Sequence, residues 1–399
     1  MTQQLSQDNT LLSEIRLRNV LSYGPGSSPI PLGNLNVLIG PNGSGKSNLI
    51  EAVALLRLVP LDNLRNTISR EGGGVSEWIW KGNPKAEATI EALFTNPTKP
   101  ESPLRHTIAF RAENQTFRLT REVIEKKKDP VASNTLPSFF YRWENGNPVM
   151  SQGGQQRSLS RESVEADKSI LAQRRDPENY PELSYIANAY EKIRVYREWS
   201  FGRNSIFRVP QKADARNDRL EEDFSNLGLF INRLRQKPKA KRAILTALSD
   251  LYEGLNDFDV SVEGGTVQVF FTEGEFTIPA TRLSDGTLRY LCLLAILCDP
   301  TPPPLICIEE PELGLHPDIL PKVADLLIAA SERTQLIVTT HSDILVDAMT
   351  ERPESILICE KHQGQTEMRR LDGQKLAVWL ESYRLGELWT RGELGGTKW

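Results

Sequence analysis

The chain is poor in the features that would mark an oxidising compartment or a membrane. Its 399 residues hold four cysteines, Cys292, Cys298, Cys307 and Cys359, with no C-x-x-C spacing. That argues against a disulfide framework or a zinc site. They sit mostly in apolar runs and are expected as reduced core residues of a cytoplasmic protein. The N-terminal stretch MTQQLSQDNT is polar, without a signal-peptide pattern. No stretch approaches the roughly 18 consecutive apolar residues a membrane helix needs. Positive charge is not in excess either. A net charge of −4 gives no global reason to expect nucleic acid or a membrane surface as partner, and leaves only a local basic face open. No internal repeat is visible, and no heptad pattern is sustained, so a long coiled coil is excluded. What remains, 39% apolar and 25% charged residues, is an ordinary globular composition, long enough for two or three domain-sized units.

Against this background stands Gly40–Ser47, GPNGSGKS, which fits G-x-x-x-x-G-K-[ST] at every fixed position. Leu35–Ile39 before it is an apolar run of strand length, and Asn48–Leu58 after it has helical apolar spacing. The glycines Gly40, Gly43 and Gly45 allow backbone N–H groups to turn inward around phosphate oxygens, at a helix N-terminus that adds partial positive charge. Lys46 has the reach for β- and γ-phosphates, and the Ser47 hydroxyl is a Mg²⁺ ligand type. Pro41, Asn42, Ser44 and Asn48 complete the loop. The pattern predicts a nucleoside-triphosphate site.

Leu12–Val20 alternates as a strand, and Tyr23–Leu32 is a Gly/Pro/Ser loop. Leu61–Arg70 is a further helical piece. From Ala86 to Trp143 the period changes to two, so ATIEALF, RHTIAFRA, TFRLTREVI and SFFYRW are expected as antiparallel strands. Asn145–Asn147 is a turn signal, and Ser151–Ser163 reads as a polar loop. Ser169–Tyr252 reads as mainly helical, and Asp257–Pro279 returns to strands. From Arg282 the pattern alternates: helix Leu288–Leu297, strand Leu305–Ile308, helix Ile319–Ala330, strand Leu336–Thr340, a helix from Ser342, and strand Ile356–Cys359. Such alternation predicts a parallel sheet covered by helices.

Four motifs fall in order along this last part: LSDGT at Leu283–Thr287 opening a helix, LICIEEPE at Leu305–Glu312 ending a strand in carboxylates, LGLHP at Leu313–Pro317, and TTHS at Thr339–Ser342. With Gly40–Ser47 the series resembles the Walker A, signature, Walker B, D-loop and H-loop of an ABC-class ATPase head. The opening IRLRNVLSYG…LNVLIGPNGSGKSNLIEA and the stretch EEPELGLHP resemble the RecF/SMC/OLD branch, including compact AAA-family ATPase subunits of anti-phage defence systems. The likeness is close over about residues 12–60 and 280–360 and loose between them.

The resemblance implies an α/β P-loop NTPase of ABC type, a mixed sheet with an antiparallel β subdomain and an inserted helical lobe. The lobes would be 1–165, 166–256 and 257–399. Glu310 would orient and deprotonate the attacking water, a role its place at the end of an apolar strand also suits. Glu309 would hold Mg²⁺ at a position where the family usually has aspartate. His341 would sense the γ-phosphate. Ser284, Asp285 and Gly286 would complete the site of a second protomer, implying a homodimer with ATP sandwiched between heads. LSDGT departs from the commoner LSGGQ, and Asp285 would have to point away from the phosphate or toward the partner. For the glutamine that contacts Mg²⁺, Gln173 is the choice, with Gln152, Gln155 and Gln156 as alternatives that the sequence does not separate from it.

Basic residues gather at Arg174, Arg175, Arg194, Arg197, Arg203, Arg208, Lys212, Arg216, Arg219, Lys237, Lys239, Lys241 and Arg242, with Tyr196, Trp199, Phe201 and Phe207 among them. This is either a nucleic-acid or partner surface or a solvated face diluted by Glu198, Asp214, Asp218 and Glu221–Asp223. The tail Gly386–Trp399 carries Trp389 and Trp399 beside glycines, free to dock on a partner or to pack back. Only 58 residues follow His341, with no D-x-D after Glu360, so no nuclease is expected within the chain. The leading expectation is an ATP-hydrolysing switch controlling a separately encoded effector, a nuclease or toxin. A RecF-like DNA-repair ATPase and a transporter nucleotide-binding subunit are the alternatives.

Overall fold

A computed structural model describes residues 10–396, apart from 62, 72, 97–101, 128–138, 145, 153–154, 161–163, 166, 200–201, 203–204 and 253. Its centre is a six-stranded sheet in the order Arg194–Tyr196, Leu305–Glu309, Gln335–Thr339, Leu35–Ile39, Ile356–His362, Gln365–Arg370. The first five strands run parallel, and the last pairs antiparallel with Ile356–His362. The near-continuous apolar runs of the sequence follow from burial on both faces. Successive side chains alternate: Val37, Ile39, Ile306, Ile308 and Val338 enter one core, while Leu38, Leu305, Cys307, Ile337 and Cys359 enter the other. On the first face lie helices Leu227–Arg235, Pro238–Leu251, Asp285–Leu297 and Leu320–Ser331, and on the second lie Lys46–Leu58 and Pro181–Glu191. All four cysteines are buried, free thiols.

The period-two segments form the expected antiparallel sheet, with Leu12–Arg18, Ala88–Phe94, Leu104–Glu113, Thr116–Lys126 and Phe139–Glu144 paired in that order. The polar loop expected at Ser151–Ser163 is in part a hairpin, Asn147–Gln152 against Gln155–Ser158. Its second strand is wholly exposed, so it has no apolar face to give an alternating signal. A buried amide joins the two sheets. Gln335 Nε2 donates to the carbonyls of Leu12 (2.8 Å) and Gly33 (2.9 Å), and its Oε1 accepts from Leu11 (3.1 Å) and Leu12 (2.9 Å) N–H groups. Every polar group of that side chain is satisfied, which is what burial demands.

The segment 166–256 is not helical throughout. It holds helices Ile170–Gln173, Pro181–Glu191, Leu227–Arg235 and Pro238–Leu251, but Arg194–Tyr196 is the edge strand of the central sheet, with Arg194 opposite Ile306 and Tyr196 opposite Ile308. Three residues are too few to show a period. Gln211–Lys212 joins Leu255–Glu263, Thr266–Glu273 and Phe276–Pro279 in a third, antiparallel sheet. At the C-terminus helix Leu385–Thr390 packs on Asp343–Asp347. Trp389 is buried there and its indole N–H donates to the Gly396 carbonyl (3.3 Å), so this part of the tail packs back on its own chain. Trp399 lies outside the described residues.

Candidate nucleotide-binding site

Gly40–Gly45 forms a loop between the fully buried strand Leu35–Ile39 and helix Lys46–Leu58. Two glycines are obligatory. A Cβ on Gly40 (φ +149°) would lie 2.2 Å from the Cys359 carbonyl, and one on Gly45 (φ +106°) 2.2 Å from Thr366 Oγ1. Gly45 also occupies the N-cap position, and no side chain caps the helix, so its first N–H groups stay available. Lys46 is buried and folds over the loop, donating to the carbonyls of Gly40 (2.7 Å) and Pro41 (3.2 Å). Burial pushes its ammonium below the usual lysine range, opposed by Cys359 and then by Glu310, Glu312 and Glu309. The Ser44 hydroxyl is buried with no hydrogen-bond partner among the described residues. A buried cation, open helix N–H groups and an orphaned hydroxyl suit a polyphosphate.

The carboxylates arrive from the next strand but one. Glu309 ends Leu305–Glu309, close to the Ser47 hydroxyl. Burial pushes its carboxyl above the ordinary value, countered first by Arg197. Glu310 adds to the rise, and the nearby Ser47 hydroxyl opposes it. Ser47 and Glu309 are hard oxygen donors side by side, a donor set that fits Mg²⁺. Glu310 follows with φ +46°, a left-handed conformation costing a non-glycine residue roughly 1–3 kcal/mol. Its N–H donates to the Thr339 carbonyl (3.1 Å) and Oγ1 (3.2 Å). His341 Nε2 stands 3.6 Å from Glu310 Oε1, too far for a hydrogen bond, so neither side chain is tied to the other. Burial, and then Lys46, hold the His341 imidazole below its ordinary pKa, against the pull of Glu310 and Glu312. Lys46, Glu309, Glu310 and His341 therefore share one electrostatic site.

Ser284 caps helix Asp285–Leu297, its Oγ accepting the Thr287 N–H (3.1 Å). Asp285 turns to its own chain, where Arg208 Nη2 lies 2.6 Å from its carboxylate and the Gly202 N–H also donates to it. These partners hold the carboxyl below the usual aspartate range, the Arg208 bond foremost. The same guanidinium donates to the carbonyls of Thr281 (2.6 Å) and Leu283 (2.8 Å). The bonds of Ser284 and Asp285 thus go to Thr287, Gly202 and Arg208, not to the phosphate loop.

Residues 35–347 match the family described as "AAA domain, putative AbiEii toxin, Type IV TA system". The chain belongs to that family. No curated protein matches it in sequence. Among solved structures, an Smc head bound to the C-winged helix domain of ScpA is similar with a TM-score of 0.57 at 16% identity, over 92% of this chain and 99% of that one. An Smc head with an extended coiled coil bound to the C-terminal domain of ScpA, from Pyrococcus furiosus, gives 0.53 at 16% identity, over 93% and 98%. At such identities the likeness is one of fold, and the fold is the ABC-type P-loop head. This chain is an AAA-family P-loop ATPase whose fold is that of an SMC head.

Several site residues of this AAA-family ATPase carry no motif. Thr366 Oγ1 donates to the Ser44 carbonyl (2.7 Å) and is bonded to Ser22 Oγ (2.6 Å), which accepts from Asn48 (2.7 Å). The Tyr23 hydroxyl reaches the Gly45 carbonyl (3.1 Å). Glu312 Oε1 accepts from Thr340 Oγ1 (2.8 Å) and from the His341 N–H (2.7 Å), so it fixes the histidine turn. The stretch leaving the edge strand is the largest omission. Arg197 pairs with Glu51 one turn beyond Ser47, and Trp199 Nε1 donates to the Glu309 carbonyl (2.9 Å). Gln173 is not brought to this group. Its side chain bonds Glu165, Lys168 and Ser169 within its own loop. Gln155 and Gln156 lie in the exposed hairpin strand.

The basic cluster is dispersed by folding. Arg194 is buried and donates to the carbonyls of Glu191 and Ile193; Arg175 pairs with Glu191, Arg208 with Asp285, Arg216 with Asp218, Arg219 with Glu221 and Lys241 with Asp257. Tyr196 is buried and Trp199 faces the site, so neither offers a stacking platform. Phe201, Arg203 and the Phe207 side chain lie outside the described residues.

Proposed function

We propose that this ATPase is a switch in which two copies close head to tail around two ATP molecules with Mg²⁺, and in which hydrolysis controls a separately encoded effector. The observation that carries the catalytic part is the meeting of Lys46, Ser47, Glu309, Glu310 and His341 at the ends of neighbouring parallel strands. The loop N–H groups of Gly40–Ser47 hold the phosphates, and Lys46 leaves its carbonyl partners for the β- and γ-phosphates. Ser47 and Glu309 hold Mg²⁺, which neutralises phosphate charge when bound. Glu310, fixed by its backbone but free at its carboxylate, orients the attacking water and takes its proton. Neutral His341 hydrogen-bonds the γ-phosphate. Ser284, Asp285 and Gly286 serve the partner's site, with the Asp285 charge already offset by Arg208.

The family description, with its putative toxin of a type IV system, supports a defence-type role; the anti-phage setting and the separate effector nuclease or toxin are part of this reading. The switch acts in the cytoplasm. Pairing of Arg175, Arg194, Arg197, Arg208, Arg216, Arg219 and Lys241 within the chain weighs against direct DNA binding through them. Glu310→Gln tests the chemistry. It should leave ATP binding intact and cut turnover by roughly two to four orders of magnitude, the scale of losing a general base. Wild-type turnover in that variant would remove Glu310 from the mechanism.

A further inference from the structure

We infer that Arg289, stacked on Trp199, is a positioning residue that holds the Glu310 turn and ties it to the signature helix. The inference rests on Glu310 being the base, and adds what keeps that base in place.

Arg289 lies more than one turn into helix Asp285–Leu297 and is 0% exposed. A guanidinium taken wholly out of water costs several kcal/mol unless charge and hydrogen bonds compensate. Here part of the compensation comes from the Walker B turn. Arg289 Nη2 donates to the Glu310 carbonyl, and the guanidinium lies over the Trp199 ring, with Cζ 4.2 Å from its centroid. The indole of that ring donates to the preceding carbonyl, Glu309 (2.9 Å). Two consecutive carbonyls, at the residues proposed for metal binding and for the base, are therefore gripped by two donors stacked on each other.

The grip answers a need. A residue at φ +46° stays there only where its surroundings over-determine it. Thr339 fixes the Glu310 N–H side, and on the carbonyl side Arg289 adds a side-chain donor to the turn's own bond from the Leu313 N–H (3.1 Å). Without Arg289 the carbonyl keeps only that local turn bond, and the carboxylate can swing away from an attacking water. The electrostatics run the same way. Burial pushes the Arg289 guanidinium down to about 10, and Glu312 opposes most, followed by Cys292 and Glu310. Glu312 in turn holds the His341 N–H, so the carboxylate that faces the buried cation also fixes the histidine turn. The stretch bearing Trp199 also reaches Asp285 through the Gly202 N–H and Arg208. Any displacement of the signature helix is thus felt at the Glu309 and Glu310 carbonyls.

The test is steady-state turnover and direct nucleotide binding on the full chain for Arg289→Met, Arg289→Lys and Trp199→Phe, each also combined with Glu310→Gln. Misplacing a catalytic group by about 1 Å costs on the order of a hundredfold, so Arg289→Met should lower kcat by about 10- to 100-fold, with Kd for ATP changed by less than about threefold. Arg289→Lys should recover part of that loss. Trp199→Phe keeps the stack but removes the donor, and should lower kcat by about three- to tenfold. In the Glu310→Gln background neither change should add a further loss, because both act through the group already removed. A merely structural role would not give that non-additivity. Should Arg289→Met fail to fold, Trp199→Phe alone and with Glu310→Gln decides the matter. Wild-type kcat in the Arg289 and Trp199 variants, or losses that multiply with that of Glu310→Gln, would overturn this inference while leaving Glu310 as base. A fully active Glu310→Gln would instead overturn the reading beneath it.

Discussion

Two helices of 13 residues open the two halves of the site, and their first turns are built in opposite ways. Lys46–Leu58 starts from a left-handed glycine, with no side-chain cap and no acid in its first turn. Its N–H groups and its end of the helix dipole are left for an anion, with the buried Lys46 amine beside them. Asp285–Leu297 starts from Ser284, whose hydroxyl already takes the Thr287 N–H, and it carries Asp285 locked to Arg208. The first terminus offers an anion free N–H groups and a cation. The second offers fewer, with one N–H already taken and a carboxylate beside it. That asymmetry suits one helix to binding and the other to sensing, with Arg289 a turn further on to report at the Glu310 carbonyl.

The sharpest way to break the comparison is to damage each terminus in turn. Lys46→Ala should weaken nucleotide binding by about two orders of magnitude, since losing one side of a desolvated charge pair costs roughly 2–5 kcal/mol. Ser284→Ala should leave binding in a single chain nearly unchanged and remove about 1 kcal/mol of stability, the usual value of an N-cap. Titration with a fluorescent ATP analogue and thermal unfolding give both numbers. Equal losses of affinity in the two variants would mean the termini do the same work.

A smaller effect concerns pH. Burial and Lys46 disfavour the charged form of His341, so its folded pKa lies below the ordinary value of about 6.5. The stability this contributes is present above the unfolded pKa and is lost as pH falls through the lowered folded one. Turnover that needs the neutral imidazole should therefore hold through pH 6.5 and fall only below it, and His341→Gln should lack that acid limb. Turnover that instead falls as the pH rises through about 6.5, and loses that dependence in His341→Gln, would show His341 working as the cation.

What was legible in the sequence was local. Gly40, Gly43, Gly45, Lys46 and Ser47 lie within one turn of chain, and Glu309 and Glu310 announce themselves as carboxylates ending an apolar run. What was not legible depends on distant partners. Thr366 braces a loop 322 residues away in sequence, and nothing about a threonine in a polar strand shows it. Arg208 looked like one more charge in a basic patch until folding set it on Asp285. Gln173 was chosen for its place at the entry to the helical segment. The chain instead approaches the carboxylates from the edge strand Arg194–Tyr196, too short to leave a pattern, and residues 197–208 contain no glutamine. Trp199 and Arg197 occupy that approach.

The central claim, that the binding helix of one chain meets the sensing helix of another across ATP, is tested most directly by mixing two dead variants. Lys46→Ala and Ser284→Arg chains should each be inactive alone. Their mixed dimer contains one site with both residues intact and one with both lost. The account predicts that mixing restores ATPase activity, to at most about half per dimer, together with ATP-dependent cross-linking of the two chains. The absence of both recovery and ATP-dependent association would contradict it, and would leave each phosphate loop working within its own chain.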